Sequence, residues 1–186
     1  MTFTKKKLAT GMATMAALAA LPASAFGAQA TVTGNVQGGS LSLTTTAAPS
    51  FSATLDGTDQ NKAYTLPSTV SDARGNGAGW NLTITSTQFS TGSGGSTLAT
   101  NASTITGVAN SCASGSTCTN PTNAVAYPVG VPAGATAPTA VKYFNAATGT
   151  GRGTFANTPS MNVFLPANAD AGSYSSTLTI SVVSGP

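Results

Sequence analysis

The sequence predicts an all-β chain, folded as a two-sheet antiparallel β-sandwich with long Gly/Ser/Thr-rich loops. Three observations carry this. Beyond residue 30 no segment sustains a helical repeat, whereas short runs alternate apolar and polar residues with period two. The chain is rich in Thr, whose β-branched side chain suits a pleated, half-wet face. Only 6% of the 186 residues are charged, and Gly and Pro recur between the alternating runs, as expected of short strands joined by turns.

Thr31 to Val36 and Leu41 to Thr45 are expected to be the first two strands, separated by Gly38-Gly39. Phe51 to Leu55 reads as a third, ended by Asp56-Gly57. Tyr64 to Val70 contains Pro67, so an edge strand or an irregular segment is expected there. Ser71 to Gly79 reads as a loop. In the next run Trp80, Leu82 and Ile84 share one face, while Asn81, Thr83 and Thr85 share the other. Phe89 is out of phase with that set, which predicts a bulge or strand end near Thr87.

Gly92 to Gly95 is expected to turn and Ser103 to Val108 to form a strand. Asn110 to Asn123 reads as a long surface loop. Val125 to Val131 alternates, but Pro128 and Pro132 push it to an edge. Val141 to Phe144 is a short strand and Gly149 to Gly153 a loop. Met161, Val163 and Leu165 alternate until Pro166 stops them, and Ala167 to Gly172 turns. The last strand is expected over Tyr174 to Val183, with Tyr174, Leu178, Ile180 and Val182 on one face.

The N-terminus predicts export. Lys5-Lys6-Lys7 precede an apolar run from Leu8 to Leu21, which Pro22 ends before small-residue sites at Ala23-Ser24-Ala25 and Ala28-Gln29-Ala30. This is the pattern of a secretory signal peptide over residues 1–30, cleaved between residues 25 and 31. The run is about 14 residues long, short of the ~20 that span a bilayer, so no membrane span is expected after cleavage. Neither a Leu-Pro-x-Thr-Gly-like sorting signal nor a lipoprotein Cys accompanies it. Residues 31–186 would form a single domain.

The net charge of +3 resides in those three lysines. The remaining Lys62, Lys142, Arg74 and Arg152 balance Asp56, Asp59, Asp72 and Asp170. A near-neutral mature chain has no basic patch to neutralise phosphates, which excludes a nucleic-acid partner. Cys112 and Cys118 predict a small disulfide loop in an exported chain. Its closure would contribute roughly 2–2.5 kcal/mol in the chain-entropy model. Zinc is not expected, because the chain contains no His and no Glu to complete a site around two thiols.

The same inventory opposes catalysis. No Ser-His-Asp or Cys-His arrangement can be built. Asp56 and Asp59 sit in a hydrophilic turn, without the burial or like-charge pairing that a general acid needs. Their spacing does not match an EF-hand. Gly149-Thr150-Gly151-Arg152-Gly153 lacks the Lys-Ser/Thr of a phosphate-binding loop. No enzyme activity, cofactor or metal is therefore expected. Asp72 and Arg74 read as a local, exposed pair worth under ~1 kcal/mol.

Two motifs remain. One is Gly79-Trp80-Asn81-Leu82. The other is Tyr174, three residues, Leu178-Thr179-Ile180-Ser181-Val182, three residues, and Pro186. Trp80 admits two readings, an aromatic platform for a glycan or partner, or a core residue in phase with Leu82 and Ile84. Tyr174 likewise suits a corner residue or a surface contact.

Together the motifs resemble the WxL domain of Gram-positive bacterial surface proteins, which combines Trp-x-Leu with a tail of Tyr-x3-Leu-Thr-Trp-x-Leu-x3-Pro. Ile180 and Val182 stand where that tail has Trp and Leu. The resemblance extends to Gly34–Leu43, Val70-Ser71-Asp72-Ala73-Arg74-Gly75, Val163-Phe164-Leu165-Pro166 and Ala171-Gly172-Ser173-Tyr174. It implies an exported domain at the cell surface, attached non-covalently to peptidoglycan or another wall polymer, alongside partner surface proteins. If so, Trp80, Leu82, Tyr174, Leu178, Ile180 and Val182 either build the fold or touch the wall. A different class of function is a structural subunit of a surface filament or layer, assembling with copies of itself by strand addition.

Overall fold

The computed structural model describes residues 30–186 apart from residue 46, so the expected signal peptide lies outside the described residues. The chain divides into two units, Met1–Asn35 and Val36–Pro186. Residues 30–35 of the first are exposed and form no strand. Val32 is 92% exposed. The expected strand over Thr31–Val36 is thus absent. Two valines around a glycine bury too little to hold a strand that has no ladder partner.

The second unit is an all-β sandwich. Its first sheet contains β1 (Leu41–Thr44), β2 (Gln60–Thr65), β3 (Ser68–Asp72), β5 (Ser103–Cys112), β6 (Val129–Gly130) and β9 (Gly153–Leu165). Its second contains β4 (Trp80–Thr87), β7 (Ala133–Gly134), β8 (Val141–Ala146) and β10 (Leu178–Ser184). The pairings are antiparallel except for the short parallel contact of β4 with β7.

The central strand of the first sheet is β9. Phe155, Asn157, Pro159, Met161, Val163 and Leu165 point inward in unbroken alternation. One edge of β9 pairs first with β3 and then with β2, and Pro67 lies in the gap between those two. In place of one edge strand or irregular segment the chain forms two strands around Pro67, of which β2 lies at the sheet edge, because the missing N–H falls where no ladder bond is required. Leu66 N–H bridges the gap, donating to Pro159 O at 3.1 Å.

In the second sheet β4 is central. Its Trp80, Leu82 and Ile84 are fully buried, in the expected phase, and the strand ends at Thr87 as the position of Phe89 predicts. Beside it β10 pairs Ile180 with Ile84, Val182 with Leu82 and Ser184 with Trp80. The core between the sheets adds Val70, Ile105, Val131, Tyr143, Phe155 and Met161.

Other boundaries move. Phe51–Leu55 alternates like a strand but joins no ladder among the described residues. Its aromatic anchor packs instead, with Phe51 against Tyr64 at 6.2 Å and Phe89 at 5.8 Å. The loop expected from Asn110 begins only after Cys112, since β5 continues along β9. Val125–Val131 keeps only the two residues of β6 in a ladder, as its prolines remove donors. The last strand starts at Leu178, four residues after Tyr174. Cys112 and Cys118 are joined, with Cα atoms 6.0 Å apart.

Candidate functional site

The structure brings five of the six motif residues together. Trp80, Leu82, Leu178, Ile180 and Val182 all lie on the paired strands β4 and β10. Trp80 and Leu82 are 0% exposed, and Leu178, Ile180 and Val182 pack half-buried against the same core. The Trp80 ring stacks on Phe144 at 5.8 Å and tilts against Phe155 at 6.2 Å. Its Nε1–H donates to Gly151 O at 2.8 Å, the bond that a buried indole needs. No ring face remains for a ligand.

The glycine-rich loop is what receives this indole. Gly151 has φ +70°, and a Cβ there would lie 2.7 Å from Trp80 Nε1. The loop is clamped from outside, because Thr119 N–H donates to Arg152 O and Gly151 N–H to Thr119 O. Thr119 directly follows Cys118, so the disulfide loop supports the floor under Trp80. The glycines mark a loop in the sequence, and its role as an indole acceptor is not legible there because Trp80 lies 71 residues away.

Asp72 and Arg74 correct the expectation of an exposed pair. Their side chains are 1% and 14% exposed. The Arg74 guanidinium reaches both Asp72 carboxylate oxygens, at 2.9 and 2.8 Å. It also donates to Gly79 O at 2.7 Å and to Ser184 Oγ. One guanidinium thereby fastens β3 of the first sheet to β10 of the second and to the turn before Trp80. The match that surrounds the motif, Asp72-x-Arg74-Gly75, is a clasp rather than a contact surface.

Hydrogen bonds from Arg74 hold the Asp72 carboxyl below its ordinary value of 3.8, against the opposing effect of burial. A carboxylate depressed by folding contributes stability above its unfolded pKa, and that contribution is lost as pH falls through the folded value. Asp56, held down chiefly by the Thr58 hydroxyl, acts in the same window from the surface. The urea midpoint is expected to stay level from about pH 7 to 5 and to fall below about pH 4. Asp72→Asn should lower the midpoint at neutral pH and flatten that fall.

Tyr174 lies outside the β4–β10 ladder, on the wall of a cleft of about 1150 Å³ that Leu178 and Ile180 also line. The cleft sits where both sheets end. On one side is Tyr64 of β2 and on the other are Leu178 and Ile180 of β10; among the described residues β2 pairs only with β9 and β10 only with β4. The unpaired segment Ala47–Leu55 runs along its rim, and residues 169–177 close the far side. Phe51, Phe89 and Tyr174 line it, each half-buried. Beneath them Leu98, Ala102, Val163 and Leu165 form a second small core.

The walls of the cleft are held from behind. Tyr174 Oη donates to Asp170 O at 2.9 Å. Ser175 exchanges backbone bonds with Ser90, and Thr177 N–H donates to Thr87 Oγ1 at 2.8 Å. The rim segment is held more lightly, by Thr45 Oγ1 to Pro67 O at 2.8 Å and Gln60 Nε2 to Thr54 O at 2.7 Å. Among the described residues the one charged group lining it is Asp170, whose carboxylate accepts the Ser96 hydroxyl. The Tyr64 hydroxyl is buried without a partner among the described residues. Burial pushes its pKa up to about 12, so it remains a neutral donor.

Sequence reasoning did not find this cleft. Its parts come from four distant stretches, and of its lining residues only Tyr174, Leu178 and Ile180 belong to the two motifs. Asp56 and Asp59 serve turns, accepting from Thr58 N–H and Ala167 N–H respectively. Among the described residues no group of three or more His, Cys, Asp or Glu gathers to hold a metal, and no helix is long and apolar enough to cross a membrane.

Comparison with protein families finds a match over nearly the whole chain. The model of the WxL domain, described as surface cell wall-binding, covers residues 6–186. No curated protein matches the chain, and no solved structure does.

Proposed function

Because this chain belongs to the WxL domain family and so is a cell-surface, wall-binding domain, we propose that it attaches non-covalently to peptidoglycan, with the aromatic cleft as its contact surface. One observation carries the choice of surface. The Trp-x-Leu motif is interior, so a ligand must be met elsewhere, and the cleft is where half-buried rings and an open sheet edge converge, with Tyr64 on its wall. Concave, mostly apolar sites with a few polar groups are the usual form of a ligand pocket. The residue inventory supports binding without catalysis, since no His or Glu exists to act as base. The departure of Ile180 and Val182 from Trp and Leu fits this reading. Both pack against the core from β10, Ile180 also lining the cleft, and at each position one apolar side chain replaces another.

The test is co-sedimentation of the mature chain with purified sacculi. Binding is expected, and it should persist in about 0.5 M salt, because a nearly uncharged cleft gives screening little to act on. Protein that stays in the supernatant at low salt would refute the proposal.

A further inference from the structure

We infer that the cleft takes the glycan strand of the wall through its N-acetylated sugars, and not the charged peptide stems or an anionic polymer. This rests on the wall-binding reading above and narrows it to one chemistry.

Charge decides first. Lys62, Arg74, Lys142 and Arg152 are the described cations, and none lines the cleft. A phosphate-bearing polymer would meet no counter-charge, and one carboxylate, Asp170, would repel it. The carboxylates of stem peptides face the same difficulty. An N-acetylated sugar carries no charge and has an apolar face, a methyl group and several hydrogen-bonding groups. Phe51, Phe89 and Tyr174 offer flat apolar surface to the ring faces and methyls. Polar partners are available at the edge of β10, because an edge strand turns half of its backbone N–H and C=O groups away from its neighbour.

Tyr64 supplies a further feature: its hydroxyl, like that of Tyr143 in the core, has no partner among the described residues, and of the two only Tyr64 lines the cleft. A buried hydroxyl without a partner is costly and uncommon. It lies beside Phe51, which sits on a rim segment that joins no ladder. A sugar that parts Phe51 from Tyr64 stacks on the first and gives the second a hydrogen-bond partner. The orphaned hydroxyl is thereby assigned to the bound state.

The experiment is calorimetric titration of the mature chain with soluble N-acetylglucosamine oligomers, with sacculus co-sedimentation run in parallel. Free stem peptide, a glycerol-phosphate polymer and a synthetic Thr31–Val36 peptide are the competing probes. The oligomers should bind and should compete the chain off sacculi, while none of the other three does. Phe51→Ala should weaken oligomer binding about tenfold or more, the effect of losing one stacked ring. Tyr64→Phe should weaken binding several-fold while raising the melting temperature, because it removes an unsatisfied polar group from the unliganded fold. A purely structural role would not produce that opposed pair. Phe164→Ala, on the outer face of the first sheet, should bind as wild type.

Sacculus binding that the oligomers do not compete, but the stem or phosphate polymer does, would overturn the inference and leave peptidoglycan attachment standing. Unchanged binding in both cleft variants would overturn it as well. Capture of the Thr31–Val36 peptide in the cleft would replace it with strand addition between copies. Failure to bind sacculi at all would instead strike the proposed function.

Discussion

Replacing Trp80 with alanine is expected to cost about 3–5 kcal/mol, the range for truncating a large buried aromatic. Trp80 fills the volume between Phe144 and Phe155, and its loss leaves Gly151 O without the indole donor. A domain of this size commonly has only about 5–15 kcal/mol in total. Trp80→Ala should therefore melt roughly 10 °C or more below wild type, or fail to accumulate as soluble protein. Trp80→Phe keeps most of the volume and loses the hydrogen bond, so a cost nearer 1–2 kcal/mol is expected. Thermal and urea unfolding of both variants check the order. Equal stability of Trp80→Ala and wild type would mean the ring is not in the core.

Arg74→Ala should be nearly as damaging, at about 3 kcal/mol. Removing one partner of a buried pair strands the other, and Asp72 would keep a carboxylate at 1% exposure with no guanidinium. The value sits at the low end of the range because Arg74 retains some water. Two further acceptors, Gly79 O and Ser184 Oγ, lose their donor in the same step. Arg74→Lys should rescue little, since an ammonium cannot present the planar fork that meets two carboxylate oxygens and a carbonyl together. Asp72→Ala combined with Arg74→Ala should cost less than the sum of the single changes, because no charge is then left stranded. Urea unfolding of this cycle measures the coupling.

What was legible in the sequence followed from local pattern. The strand β4 alternates cleanly, so both its existence and its buried face could be read. The face of β10 could be read for the same reason. Its start could not, because Tyr174-Ser175-Ser176 continues the alternation while the backbone leaves the ladder to build a cleft wall. The N-terminal half of β9 was hidden by Asn157 and Pro159, an inward polar residue and a missing donor, which are tolerated only where partners on both sides fit them. Phe51–Leu55 had the pattern of a strand but lacked a neighbouring edge to pair with.

The Asp72–Arg74 pair looked superficial because its spacing is local. Its burial depends on Ser184 and Gly79, brought over it by the β4–β10 pairing. The cleft was illegible for a related reason. It is a property of where two sheets stop, and no single stretch of chain encodes that.

The central claim is that the Trp-x-Leu element builds the fold while the aromatic cleft meets the wall. The most direct measurement is sacculus co-sedimentation of two variants, each first shown to be folded by its unfolding transition. Trp80→Phe is predicted to sediment with sacculi as wild type does, despite altering the motif residue, while Phe51→Ala is predicted to remain largely in the supernatant. The reverse result, with a folded Trp80→Phe released and Phe51→Ala retained, would contradict the account.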